Sequence, residues 1–242
     1  MIFREILVEI LSTFTIVFLT SYARLSADLR SSFDKMQIGL VNAVATGVFI
    51  LLCFPRARCH FNPILTISDV IFKDLNLVSG IIIMLSQLVG CLTAYALVVL
   101  SITDKQSDYL SEKSIIGLSY LKKEFSTIQA FSAELIFSLI FVYACLEHSD
   151  IKRKGQYWIE YYALVRGVII LAASIASEAI SGCDFNPFAI LSAALISTKL
   201  ESYQWLYYIS PIIGGTIGGL IYNRQIVERF FMAVKNEDVV SK

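Results

Sequence analysis

The chain has 242 residues, 56% of them hydrophobic and only 17% charged, and it carries no net charge at pH 7. A soluble domain is nearer about 25% charged, so this composition and the mean hydropathy of +0.68 describe a protein that crosses a membrane several times. With 20 Lys+Arg balanced by 20 Asp+Glu and no run of five basic residues, nucleic-acid binding has no electrostatic footprint.

A bilayer-spanning helix needs about 20 mostly apolar residues. Residues 3–23, 36–54, 78–102, 127–147, 160–180 and 203–223 meet that requirement, which predicts six spans. The first apolar stretch continues to about Tyr22 and carries Glu9, so it reads as a span rather than a cleaved leader. A polar joint follows from Ala23 to Lys35, holding Arg24, Asp28, Arg30 and Asp34. The joint at 103–124 is the longest and most hydrophilic, and the next holds Lys152-Arg153-Lys154. The polar residues after Tyr222 read as a solvated cytoplasmic tail, 224–242. With both termini in the cytoplasm, the inner segments carry eleven Lys/Arg against eight outside, a mild bias toward that topology.

Two joints differ from the rest. Asn62 to about Phe72 and Asn186 to about Ser197 are apolar and helix-like. At 1.5 Å per residue each covers about 15–18 Å, half of a hydrocarbon core about 30 Å thick. Such a length predicts re-entrant half-helices, 63–72 and 187–197. Each begins in the same pentapeptide pattern, Cys59-His60-Phe61-Asn62-Pro63 and Cys183-Asp184-Phe185-Asn186-Pro187, 124 positions apart. Proline suits the first helical position and the asparagine before it can cap.

The duplication extends further. Glu9 lies 53 positions before Asn62 and Glu134 lies 52 before Asn186; Gln87-Leu-Val-Gly90 begins 25 after the first asparagine and Pro211-Ile-Ile-Gly214 begins 25 after the second. Three spans per half turn the second half over, giving an inverted repeat of 1–102 and 125–223 joined by the loop 103–124. The predicted fold is an all-α membrane protein of six transmembrane helices and two half-helices whose tips meet near the bilayer midplane.

A helix N-terminus leaves N–H groups free and carries roughly half a positive charge. Two such ends facing each other repel cations, including a relayed proton. Asn62 and Asn186 would each offer an amide to a passing oxygen, and the carbonyls around Cys59 to Phe61 and Cys183 to Phe185 would line the path as acceptors. A pore for small uncharged polar molecules follows. Glu9 and Glu134 lie within apolar spans, where a charge must be satisfied; they read as acceptors for the re-entrant loops, with ion coupling as the rival role. Arg166 lies toward the cytoplasmic end of the fifth span and reads as snorkelling to the interface or pairing with another helix. Glu178 is placed at the outer mouth. His60 reads as a structural hydrogen bonder, and Gly90, Gly214, Gly215, Gly218 and Gly219 as close helix contacts. Two histidines and five cysteines without CxxC or HExxH spacing offer no zinc site and no catalytic set. No cofactor, metal or catalytic residue is expected.

These residues carry a resemblance. Asn62-Pro63-Ile64-Leu65-Thr66 and Asn186-Pro187-Phe188 resemble the two Asn-Pro-Ala boxes of the aquaporin (major intrinsic protein) family. Glu9-Ile-Leu-Ser-Thr-Phe14, Gln87-Leu-Val-Gly90 and Trp205-Leu-Tyr-Tyr-Ile-Ser-Pro-Ile-Ile-Gly214 resemble its first, third and sixth spans. The resemblance implies a homotetramer with one pore per subunit, set in a lipid bilayer and passing solute passively. Departures stand at the filter. Ile64 and Phe188 replace the box alanines, Ala189 the arginine after the second box, Ile190 the aspartate of glycerol channels, Ser174 the fifth-span histidine and Asn42 the second-span aromatic. Loss of the arginine implies a wider, less polar outer mouth. Cys183 falls on the filter cysteine of some members, where a thiol would face the pore; packing is the other reading. The divergent boxes are similar to those of unorthodox, often intracellular, members, although Ser197 replaces their downstream cysteine. The expected function is a channel for water and small neutral solutes such as glycerol or hydrogen peroxide, in the plasma membrane or an intracellular one such as the endoplasmic reticulum. A secondary transporter is one alternative; a pore-inactive scaffold or adhesion member, suggested by Phe188 beside the constriction, is another.

Overall fold

A computed structural model describes residues 2–29, 35–54, 56–103, 121, 124–149, 158–177, 179–182 and 185–222. Among them are the helices α1 (Ile2–Leu29), α2 (Lys35–Cys53), α3 (Pro63–Ile71), α4 (Leu77–Leu100), α5 (Thr127–Ser149), α6 (Trp158–Ser177), α7 (Pro187–Ser197) and α8 (Leu206–Tyr222). The fold is all-helical, with six long helices and two half-helices.

α2, α4, α5 and α6 are long and apolar enough to cross a membrane on composition alone. α1 is longer, 28 residues, but holds Glu9 and Arg24 within its length. α8 has 17 residues. α3 and α7 have 9 and 11, about 13–17 Å at 1.5 Å per residue, too short for a core about 30 Å thick.

The packing repeats with the sequence. α1 lies against α4, and α5 lies against α8, so the first and third long helices of each half form a pair. α2 packs on α6, joining the second long helix of one half to that of the other. Both α3 and α7 rest on α4 and α8 and touch each other. Glycine permits the two tight pairings. A Cβ on Gly90 of α4 would lie 2.7 Å from the Ile10 carbonyl oxygen of α1, and one on Gly214 of α8 would collide with the Leu135 carbonyl of α5. Ile10 follows Glu9 and Leu135 follows Glu134, so the closest approach in each half falls beside its buried glutamate. Outward-facing Leu11, Leu85, Ile128 and Leu164 are 57–77% exposed. They belong to an apolar surface that suits lipid rather than water.

Some boundaries differ from the sequence reading. α1 runs to Leu29 instead of stopping near 23. Arg24 is therefore helical and buried, because its guanidinium finds a carbonyl on another segment. α6 ends at Ser177 instead of 180, where the chain turns sharply. The N–H groups of Ile180, Ser181 and Gly182 all donate to the Ser177 carbonyl at 2.9, 3.0 and 3.2 Å, and Gly182 has φ 83°. α3 ends at Ile71 with Phe72 as its C-cap. The tail 224–242 and nearly all of the 103–124 loop lie outside the described residues.

Candidate functional site

The loop before α3 is held from behind by one carboxylate. Glu9 is 1% exposed. Its Oε1 accepts from the His60 N–H at 2.7 Å, and its Oε2 accepts from the Phe61 N–H at 2.8 Å and the Gln87 amide at 2.9 Å. Turning two consecutive N–H groups toward Glu9 requires an unusual backbone, and Cys59 and Phe61 adopt φ values of 57° and 55°. Such left-handed conformations cost roughly 1–2 kcal/mol each outside glycine, and charge-assisted bonds of this kind contribute more than that. The His60 ring secures the other side of the loop. Nδ1 meets Thr66 Oγ1 at 3.0 Å and Nε2 meets Asp69 Oδ2 at 3.0 Å, while Arg58 pairs with the same oxygen at 3.2 Å. Glu134, the residue of α5 at the corresponding spacing, is also 1% exposed.

At the tips the two halves complete each other. The Asn62 side-chain oxygen accepts from the Ile64 N–H at 3.1 Å and caps α3; its amide crosses to the Phe185 carbonyl at 3.0 Å. Asn186 caps α7 through the Phe188 N–H at 3.1 Å and donates to the Phe61 carbonyl at 3.3 Å. Phe185 shares the positive φ of Phe61, at 45°. Each asparagine amide has two N–H donors. The crossed bond uses one and leaves the other for a ligand. Pro63 and Pro187 occupy the first helical positions, where no N–H is needed.

Both asparagines line one cavity of about 50 Å³, with Asn42, Ala189, Arg24 and Arg166 also in its wall. A water needs roughly 10–15 Å³ on this scale, so a few fit. Phe61, Phe141 and Phe185 make an apolar side, with the Phe141 and Phe185 rings stacked at 5.8 Å.

The remaining predicted residues are distributed unevenly. Ser174 faces α2, where a Cβ on Gly39 would lie 2.6 Å from its own Cβ; it is absent from the cavity wall. Ile64 is 1% exposed and belongs to the central core, and Phe188 packs with Val17, Cys91 and Ala94. Both residues that replace the box alanines thus point into packing, away from the cavity, which is why their bulk is accommodated. Cys183 and Glu178 lie outside the described residues.

Two arginines correct the sequence reading. Arg166 does not snorkel to the interface, and among the described residues its partners beyond its own helix are loop carbonyls rather than another helix. It is 2% exposed, and its guanidinium donates to the Cys59 and His60 carbonyls and, at 3.3 Å, to the Tyr162 hydroxyl. The carbonyls around Cys59 to Phe61 are expected to face the path as acceptors; those of Cys59 and His60 instead accept from Arg166, and neither residue lines the cavity. Arg24 was read as a residue of a polar joint. It is 6% exposed and donates to the Gly182 carbonyl at 2.9 Å from within α1. Ala189 therefore does not leave the mouth without a guanidinium: one from α1 lines the same cavity. The signal in the sequence was the position of Arg24 directly after an apolar stretch, 15 residues past Glu9, about 22 Å along one helix and so at the opposite side of the asparagine pair.

Comparison with known proteins agrees with this architecture. The family model described as Major intrinsic protein matches residues 1–222. Aquaporin TIP4-2 of Zea mays is 25% identical over 247 residues, covering 97% of this chain and 88% of that protein. Lens fiber major intrinsic protein of Canis lupus familiaris is 25% identical over 223 residues, covering 91% and 80%. The X-ray structure of the aquaglyceroporin from Plasmodium falciparum superposes with a TM-score of 0.79 at 23% identity, over 93% of this chain and 97% of that one; this likeness bears on the fold alone. The chain belongs to the major intrinsic protein family and is an integral, multi-pass membrane protein of that channel family.

Proposed function

We propose that this protein is a passive channel for water and small uncharged polar solutes, assembled as a homotetramer with one passage per subunit. The observation that carries this reading is the crossed pair of asparagines, which fixes two half-helix N-termini tip to tip beside one cavity. A water in that cavity accepts from the remaining N–H of Asn62 and of Asn186. With its lone pairs so used, it cannot accept a proton from its neighbour, and the positive helix ends disfavour hydronium. Phe61, Phe141 and Phe185 make one side of the cavity apolar, so the oxygens of a solute are held along the polar side.

Glu9 speaks against ion coupling, since both its oxygens are engaged by three donors of the loop and of α4. Phe188 supports no plug, because it packs between α1 and α4. Solutes of the size of glycerol or hydrogen peroxide fit the chemistry of the wall, where amide and hydroxyl groups lie opposite phenyl rings.

The test is the swelling and shrinking of proteoliposomes under an osmotic step, with and without glycerol, and with a pH-sensitive dye inside. Water flux well above that of empty vesicles, with no sodium requirement and no proton leak, is the expected result. Strict sodium dependence or a proton current would move the reading to a transporter, and absence of all flux to a scaffold.

A further inference from the structure

The cavity has a polar wall that the crossed asparagines do not supply. Thr20 and Ser21 of α1 and Asn42 and Thr46 of α2 line it beside Asn62 and Asn186, together with Phe61, Phe141 and Phe185. Asn42 and Thr46 lie four residues apart, one above the other on the same face of α2. Asn42 is half-buried and Thr46 is buried. A threonine hydroxyl inside a helix commonly donates to the carbonyl one turn back. Thr15, Thr20, Thr93 and Thr216 all do so, each at 2.8 Å. Thr46 departs from them: its hydroxyl donates to the Asn42 side-chain oxygen at 3.4 Å, a longer bond between two side chains of the cavity wall.

That departure fixes an orientation. A carboxamide has an acceptor end and a donor end of nearly the same shape. A hydroxyl hydrogen needs an oxygen, so the bond from Thr46 holds the acceptor end of Asn42 and leaves its NH2 to the cavity. Among the described residues no other hydrogen bond engages the Asn42 side chain. Asn62 and Asn186 each spend one amide N–H on the crossed bonds, so a solute finds the second N–H of each and both of Asn42. Thr20, whose hydrogen is committed to the Ile16 carbonyl, offers lone pairs. A water meets such groups one at a time. A polyol meets more than one at once while its carbons lie against the rings, so a fixed amide replaces part of the hydration that it sheds. An amide free to turn gives up part of that gain to its own ordering.

We infer that Thr46 is a positioning residue acting through Asn42, and that the pair raises the passage of polyhydroxyl solutes relative to water. Thr46 holds the amide by its oxygen; Asn42 gives the solute a donor at a fixed place in the wall. The inference rests on the channel reading and deepens it.

The experiment measures water and glycerol flux in proteoliposomes for wild type, Thr46→Val, Thr46→Ser, Asn42→Val and the double variant Thr46→Val with Asn42→Val. Thr46→Val keeps the branched shape and removes the hydroxyl, so the glycerol-to-water ratio falls by about two- to tenfold, the span that a single hydrogen bond commands. Thr46→Ser keeps the hydroxyl and the wild-type ratio. Asn42→Val lowers the ratio at least as far, and Thr46→Val changes nothing more on that background, because residues that act as one unit are not additive. A merely structural role for Thr46 lowers both fluxes together and leaves the ratio unchanged; that result overturns the inference. So does a Thr46→Ser protein as altered as Thr46→Val, or a double variant in which the two effects add. If Thr46→Val does not reconstitute, Asn42→Val decides: an unaltered ratio in a water-conducting Asn42→Val protein overturns the inference. A wild type that conducts water and excludes glycerol overturns it as well, whereas a wild type without water flux refutes the channel reading itself, which separates the two failures.

Discussion

Replacing Glu9 with glutamine tests whether the re-entrant loop depends on a single carboxylate. Glu9 accepts three bonds, two from the backbone of His60 and Phe61 and one from Gln87. Glutamine keeps the shape but offers one acceptor oxygen. Whichever way the amide turns, its NH2 faces at least one backbone N–H. One bond to a charged group, worth about 1.5–3 kcal/mol, disappears, and a buried donor left unpaired costs about 1–3 kcal/mol more. The sum is about 2.5–6 kcal/mol, a large part of the roughly 5–15 kcal/mol that keeps a typical protein folded. At about 2–4 °C per kcal/mol for a chain of this length, the melting temperature falls by about 5–24 °C. Thermal unfolding of the purified protein in detergent, followed by intrinsic fluorescence, reads that shift. Osmotic flux per reconstituted protein reads the effect on the passage, which falls as Cys59 and Phe61 relax from their left-handed backbone. A melting temperature within about 2 °C of wild type with undiminished flux would refute the reasoning. An unchanged melting temperature with flux that newly ignores an ion gradient would instead identify Glu9 as a coupling group.

Three other perturbations address different parts of the structure. Asn62→Asp keeps the cap on α3 but loses the donor to the Phe185 carbonyl and places a carboxylate between the two helix N-termini; a dye-loaded vesicle should acidify measurably faster than with wild type, and an equal rate argues against the tips as the proton barrier. Arg24→Ala removes the bond to Gly182 and widens the wall beside Ala189, so glycerol and urea flux should rise severalfold while water flux holds; unchanged glycerol flux would place the limiting constriction elsewhere. Gly90→Ala forces a methyl to 2.7 Å from the Ile10 carbonyl oxygen, an overpacking of about 1–3 kcal/mol, which lowers the melting temperature by about 2–12 °C; an unshifted transition would mean that α1 and α4 separate at little expense.

Much of the architecture could be read from the chain because its signals are local or repeated. Span length follows from runs of apolar residues. The half-helices follow from their brevity and from Asn-Pro, whose capping chemistry needs only neighbours. The role of Glu9 followed from the expense of a charge in an apolar span, which left few partners. The places of the two arginines are not legible in the sequence, for a physical reason. Sequence spacing gives depth along a helix axis, but a guanidinium on its flexible stem reaches well away from that axis, and only the fold shows which carbonyl it meets. Rotation about the axis was equally hidden. Ser174 was placed by counting, yet it faces Gly39 of α2. Ile64 and Phe188 were counted as filter departures, while their side chains face the core.

The exchange between the asparagines has a consequence for how the chain is made. Asn62 leaves the ribosome long before Phe185 exists, and Phe61 offers its carbonyl 125 positions ahead of the amide that will meet it. Until then the first re-entrant segment has no partner at its tip for either group, in surroundings where an unmet polar group is heavily penalised. Glu9 and Gln87 can hold the loop within the first half, but its tip is not complete during synthesis. The tip of its re-entrant segment finds those partners only when the second half arrives, so a chain truncated before Phe185 lacks both crossed bonds.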